Sequence, residues 1–243
     1  MRRNSKTIYF ALTALVIVCL SALFIYKIAA GPPASTPTPQ AENASKDTTT
    51  APATSTYPIA SIAFPIARAL ERVTKKPFGI YIRPKDSPVT PEKFTGYHTG
   101  ADFETDPNEQ DSDIPIFTVC AGPLLLKEWA RGYGGVAVQK CRINAQDVTI
   151  VYGHLKLTSI QAKTGASLTQ GQELGALGKG YSTETDGERK HLHLAIHRGT
   201  AINILGYVQN RASLDNWIDP LPLLKQGTVS FGRSTLAIYS RMR

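Results

Sequence analysis

The stretch His191-Leu192-His193-Leu194-Ala195-Ile196 decides the fold. Two imidazoles two residues apart point to one face of a β-strand, roughly 6 to 7 Å apart along the chain. Leu192, Leu194 and Ile196 alternate with them, as an apolar reverse face should. A strand with histidines on one side and hydrocarbon on the other belongs to a sheet that carries a polar site. Two earlier segments then stand out, Tyr97-His98-Thr99-Gly100-Ala101-Asp102 and Tyr152-Gly153-His154-Leu155. His98 and Asp102 are four apart around Gly100, in a stretch that reads as a strand edge or bend turning both side chains toward one point. Together the three motifs hold four of the five histidines and one carboxylate. Zinc favours imidazole and carboxylate ligands, and a catalytic site needs three of them plus an open position for water. In His191-Leu192-His193 one imidazole can bind the metal while its neighbour reaches the bound water or substrate.

The same alternation, bounded by Gly and polar turns, marks strand candidates at residues 79–82, 114–121, 124–129, 135–142, 147–152, 173–177 and 191–197. Residues 59–73 carry Ile62, Ile66, Ala67, Leu70 and Val73 at helical spacing, although Pro65 interrupts them. A second short helix is expected over 157–161. Cys120 and Cys141 are the only cysteines outside the N-terminal apolar run. An even pair in an exported domain reads as a disulfide or as two buried small residues, and sequence alone leaves both open.

Residues 8–26 carry no charge, follow Arg2, Arg3 and Lys6, and precede Lys27. At about 1.5 Å per residue such a run just spans a hydrocarbon core of about 30 Å. Its length favours an uncleaved signal anchor over a secretory leader, with Ile28-Ala29-Ala30 as the small-residue site of the alternative. The basic N-terminus then stays inside and the C-terminal part faces outward, a single-pass membrane protein. Residues 31–56, rich in Pro, Ala, Ser and Thr, bury too little apolar surface to fold and read as a disordered stalk with a reach of roughly 25 to 30 Å. The expected organisation is a basic tip and anchor over 1–30, the linker over 31–56, a helical extension over 57–76, the folded domain over 77–225 and a tail over 226–243. The net charge is +8, of which Arg2, Arg3, Lys6 and Lys27 carry four with no acid among the first 30 residues, leaving +4 outside. A mildly basic exterior suits an anionic wall polymer. Nucleic acid is excluded, since no basic helix or aromatic-basic interleaving is present.

The chain resembles the lysostaphin/LytM-type zinc endopeptidases. Their His-x-x-x-Asp, Tyr-x-His-Leu and final His-Leu-His motifs are all matched, and the likeness extends over about 77–220, including Gly132-Tyr133-Gly134-Gly135 and Gly165, Gly171, Gly175 and Gly178. The resemblance implies that His98, Asp102 and His193 bind one Zn2+ and that His154 and His191 are the non-ligand catalytic histidines. It also implies a compact, mainly β, antiparallel-sheet domain with a zinc groove, and a peptidase acting on peptidoglycan peptides. A relative of this fold that binds the wall or activates other hydrolases without catalysis is the competing class. A protein regulator, or the segment 57–76 docking over the groove as a plug, is compatible with either.

Three segments depart from the family pattern. Polar residues 181–190 replace Ser-Thr-Gly-Pro before His191, Ala195-Ile196 replaces Phe-Glu, and an acidic insertion occupies 104–113. Glu184, Asp186 and Glu188 are expected in a solvated loop, and Tyr97, Tyr133 and Tyr181 flank the motifs as groove candidates. His197 shares strand parity with His191 but lies roughly 13 Å from His193 at about 3.3 Å per residue, so it is read as a rim residue. No His-Glu-x-x-His segment is present, which excludes a thermolysin-like site.

Overall fold

The computed structural model describes residues 62–231, all within the unit Thr56–Arg243. The apolar run 8–26 and the stalk 31–56 lie outside the described residues, among which no helix is long and apolar enough to cross a membrane. The described chain is mainly antiparallel β. Its strands are β1 (Tyr81–Ile82), β2 (Gly96–His98), β3 (Gly100–Glu104), β4 (Pro115–Phe117), β5 (Gly122–Ala130), β6 (Gly134–Ile143) and β7 (Gln146–Gly153). They continue as β8 (Leu155–Lys156), β9 (Ser167–Leu168), β10 (Glu173–Leu177), β11 (His191–Arg198), β12 (Tyr207–Val208) and β13 (Trp217–Ile218).

Local chemistry sets the central hairpins. Asn144 and Ala145 both have positive φ, 49° and 62°, the pair of conformations that a two-residue hairpin turn needs to match strand twist, and they join β6 to β7 with Ile143 opposite Gln146. Strand β7 pairs with β11 from His193↔Gly153 to Arg198↔Val148. Along its other edge β11 takes β3, from His191↔Glu104 to Ala195↔Gly100, and then β13. This sheet, ordered β13-β11-β7-β6-β5-β9 with β3 on β11, is flanked by two three-stranded sheets, β1-β2-β12 and β4-β10-β8.

The central sheet separates two apolar clusters. Leu192, Leu194 and Ile196 of β11 and Val148, Ile150 and Tyr152 of β7 face the larger one, together with Phe103 and Leu124. Val136, Val138, Val151, Ala195, Trp217 and Tyr133 form the smaller one on the opposite face. The period-two pattern in the His191 segment therefore does what it predicts, sending leucines to one side and histidines to the other.

The helix expected over 59–73 is a single turn, α1 (Ala69–Arg72). The preceding residues spend their backbone hydrogen bonds on a neighbouring strand: Ala63 N–H donates to Val119 O at 2.8 Å, and Pro65 O accepts from Phe117 N–H at 2.8 Å. Arg68, at φ 56°, completes the break. Ile62, Ile66 and Ala69 are nonetheless in the main core, so this part of the extension is built into the domain, while residues 57–61 of the segment read as a plug lie outside the described residues. The expected helix at 157–161 is a 3-10 turn, Leu157–Ser159. The expected domain end at 225 is crossed by α2 (Pro220–Phe231).

Cys120 and Cys141 form a disulfide with Cα atoms 6.0 Å apart and a sequence separation of 21, which settles the open alternative in favour of the bridge. Closing a loop of this length removes unfolded-state entropy worth about 3 kcal/mol. The Cys120→Ala/Cys141→Ala variant is expected to lose about 2–4 kcal/mol in urea unfolding. A midpoint equal to that of the parent under oxidising conditions would show that the bridge contributes nothing.

Candidate metal centre

The site forms where β2, β3 and β11 converge. Between β2 and β3 the chain bends at Thr99, whose hydroxyl donates to Leu205 O at 2.6 Å and whose N–H donates to Gly206 O at 3.0 Å. This bend brings His98 and Asp102, on successive strands, to one point. Gly100 is required there because a Cβ would stand 2.5 Å from Leu194 O and 2.9 Å from the His193 ring, so only glycine lets β3 lie this close to β11. Pairing then sets His193 opposite Asp102 and His191 opposite Glu104.

Three donor atoms meet in a near-equilateral triangle. His98 Nε2 and His193 Nδ1 are 3.0 Å apart, His193 Nδ1 and Asp102 Oδ1 3.1 Å, and His98 Nε2 and Asp102 Oδ1 3.2 Å. All three side chains are buried. A tetrahedron with ligand distances of about 2.0–2.1 Å has edges of about 3.3 Å, so the triangle matches one face of a zinc coordination shell. The protonation states fit as well. Burial resists ionisation of Asp102, but its imidazole neighbours, His191 first and then His98, outweigh it and hold the carboxyl well below its usual range. Burial lowers His193 to about 4 despite its bond to Asp102, so it is neutral near pH 7. An ionised carboxylate and a neutral imidazole are forms that bind a cation. His98 Nδ1 lies 3.2 Å from Pro77 O, which only accepts, so Nδ1 carries the proton and Nε2 offers its lone pair.

The other two predicted histidines lie beside this triangle. His191 Nδ1 is 2.9 Å from Arg189 O, which only accepts, so Nδ1 carries a proton, and its Nε2 stands 3.3 Å from Asp102 Oδ2. His154 follows Gly153 at the end of β7 with φ 62°, a left-handed conformation that turns its ring out of the strand direction and over His191, with ring centres 4.2 Å apart. Burial, and then the charge of His191, push the His154 pKa well below the usual histidine value. Its Nδ1 is buried without a hydrogen-bond partner among the described residues.

All five predicted residues line one cavity of about 390 Å³, whose walls include Tyr133, Tyr207, Phe94, Ile204 and Leu205. Of the groove candidates flanking the motifs, Tyr133 is in the wall, whereas Tyr97 packs on Tyr81 and Tyr181 is exposed. His197 sits apart, its ring 4.7 Å from Trp217, as its strand position predicts.

The expected solvated loop is corrected in its last residues. Glu188, Arg189 and Lys190 are buried. Lys190 Nζ donates to the carbonyls of Glu109, Gln110 and Ser112, and Arg72 forks onto Glu109 at 2.7 Å through each of two nitrogens, so the acidic insertion is tied down by cations from both sides. Lys76, Glu92 and Tyr207 are site residues that no motif marks: Lys76 Nζ donates to Glu92 at 2.9 Å and to the Tyr207 hydroxyl, and stands 3.7 Å from Asp102 Oδ2. They come from short segments far apart in sequence, and only the β2–β12 pairing gathers them.

Residues 96–204 match the model of peptidase family M23. Among solved structures, the chain is similar to the catalytic domain of the antimicrobial peptidase lysostaphin from Staphylococcus simulans, with 20% identity over 66% of this chain and 98% of that one and a TM-score of 0.45. It is also similar to a zinc-containing peptidase from Vibrio cholerae, with 18% identity and a TM-score of 0.40 over 67% of this chain, and spans only 40% of that protein's chain. A third similar structure is that of LytU, with 21% identity and a TM-score of 0.42 over 64% of this chain and 86% of that one. No curated protein matches the chain.

Proposed function

Because residues 96–204 match the model of peptidase family M23, we propose that this protein is a membrane-anchored, exported zinc endopeptidase that hydrolyses peptide cross-links of peptidoglycan. The observation that carries the proposal is the buried triangle of His98 Nε2, Asp102 Oδ1 and His193 Nδ1 with two further histidines at its side. These three residues would hold the ion. When bound, zinc polarises a peptide carbonyl and brings the pKa of a water toward neutrality.

The protein residues do the rest. The cavity, with Phe94, Ile204 and Leu205 in its walls, is large enough for a peptide segment. His191 presents its Nε2, the ring held by the bond from Nδ1 to Arg189 O, and His154 is neutral with its ring tilted against it. The pair takes the proton of the attacking water, returns it to the leaving amine and stabilises negative charge on the carbonyl oxygen, a contribution of roughly 10² to 10⁴ in rate. The Cys120–Cys141 bridge suits an oxidising compartment, in keeping with the anchor and stalk read over 8–26 and 31–56. A purely wall-binding role would not need the full donor set.

The test uses the full chain in detergent, zinc-loaded, on cross-linked wall material. Release of new amino groups, abolished by chelator and restored by zinc, is the expected result. No turnover of wall or glycine-rich peptides by zinc-loaded protein would put the binding role first. In cells the chain is expected with membranes and open to protease from outside. Its recovery in the soluble exterior fraction, starting near residue 31, would replace the anchor by a cleaved leader.

A further inference from the structure

Asp102 faces two environments. Its Oδ1 belongs to the donor triangle, 3.1 Å from His193 Nδ1 and 3.2 Å from His98 Nε2. Its Oδ2 meets Arg189 Nη2 at 2.9 Å, His191 Nε2 at 3.3 Å and Lys76 Nζ at 3.7 Å. A carboxylate can give a metal one oxygen or both. Giving both would fill a coordination position that water or substrate needs.

Arg189 is built to decide between these modes. It stands two residues before His191, at the open end of the face on which β3 and β11 carry Asp102, Glu104, His193 and His191. Its Nε donates to Glu104 at 3.1 and 2.9 Å and its Nη2 to Glu104 Oε1 at 2.5 Å, while Nη2 also reaches Asp102. One planar guanidinium thus clamps two carboxylates two residues apart on β3, a geometry that a lysine point charge cannot copy. Arg189 is 7% exposed, and its Nη1 is buried with no hydrogen-bond partner among the described residues. A buried cation with an unsatisfied donor is a poor stabilising device, so its place beside the donor triangle calls for another account.

We propose that Arg189, braced by Glu104, is a positioning residue that reserves Asp102 Oδ2, so that the carboxylate gives the metal Oδ1 alone and a coordination position stays open. The inference rests on the ligand set of the proposed function. It also gives a role to the segment before His191, where the chain departs from the Ser-Thr-Gly-Pro pattern.

The test compares the full chain with Arg189→Met, Arg189→Lys and Glu104→Gln, with cobalt in place of zinc. The parent should show the intense visible absorption of a four-coordinate cobalt site. Arg189→Met should show the weaker bands of higher coordination as Oδ2 swings to the metal, and its zinc affinity should change by about 10- to 100-fold. Arg189→Lys should recover part of the parent spectrum, and Glu104→Gln should shift it in the same direction by less. A parent spectrum and parent zinc affinity in folded Arg189→Met would overturn the inference. If that variant does not fold, a parent spectrum in both Arg189→Lys and Glu104→Gln overturns it. A parent chain that binds neither cobalt nor zinc strikes the ligand assignment instead.

Discussion

Replacing His98, Asp102 or His193 by alanine, one at a time, is expected to remove zinc from the protein and to reduce peptide turnover on the order of 10³-fold or more, since several kcal/mol of transition-state stabilisation leave with the ion. Each residue supplies one corner of a triangle with sides of 3.0 to 3.2 Å, and three ligands leave none to spare. The three losses differ in their side effects. His98→Ala removes one ring that is held by Pro77 O. Asp102→Ala also takes one of two buried anions from Arg189 and from Lys76, leaving them Glu104 and Glu92 respectively, so it should be less stable than the other two. Asp102→Asn keeps the shape of the side chain, and is the better variant for separating metal loss from misfolding. Metal content and turnover are measured on the same samples. About one zinc per chain remaining in all of these variants would refute the ligand assignment.

How far the sequence reaches depends on whether a feature is periodic or gathered. The His191 segment announces its strand, its core face and its polar face through a period of two, and β11 does carry Leu192, Leu194 and Ile196 into the core. Segments 135–142 and 147–152 are legible for the same reason and become β6 and β7. Residues 59–73 mislead because Ile62, Ile66 and Ala69 are buried at helical spacing while Pro65 and the left-handed Arg68 send the backbone to pair with residues 117–119. Two-residue strands such as β12 and β13 are too short to show any period. Of the site, the five residues in motifs are brought together as read. Lys76, Glu92, Arg189 and Tyr207 are not legible, because a buried lysine or arginine looks in sequence like a surface one until its counter-charges are in place. Arg189 lies in a run of polar residues that reads as solvated, and only the approach of Asp102 and Glu104 on β3 gives it a reason to be buried.

Removing His154 or His191 should separate chemistry from metal binding. Neither contributes a donor atom to the triangle, so zinc is expected to stay at about one per chain, while turnover falls roughly 10² to 10⁴-fold with the loss of proton transfer. The two positions call for different substitutions. His154 has φ 62°, a conformation that costs alanine more than asparagine, so His154→Asn keeps the backbone turn that His154→Ala strains. His191→Ala removes the Nε2 contact to Asp102 Oδ2 at 3.3 Å as well as the base, yet leaves Arg189 and Lys76 on that oxygen, so the carboxylate keeps its orientation. Their rings are 4.2 Å apart and act on one proton, so the double variant should be little worse than the more damaging single one. Strictly additive losses, tenfold on tenfold, would mean that the two act on separate steps. Undiminished turnover in both zinc-loaded single variants would leave the shared proton with neither, and the attack would need another base from the cavity wall.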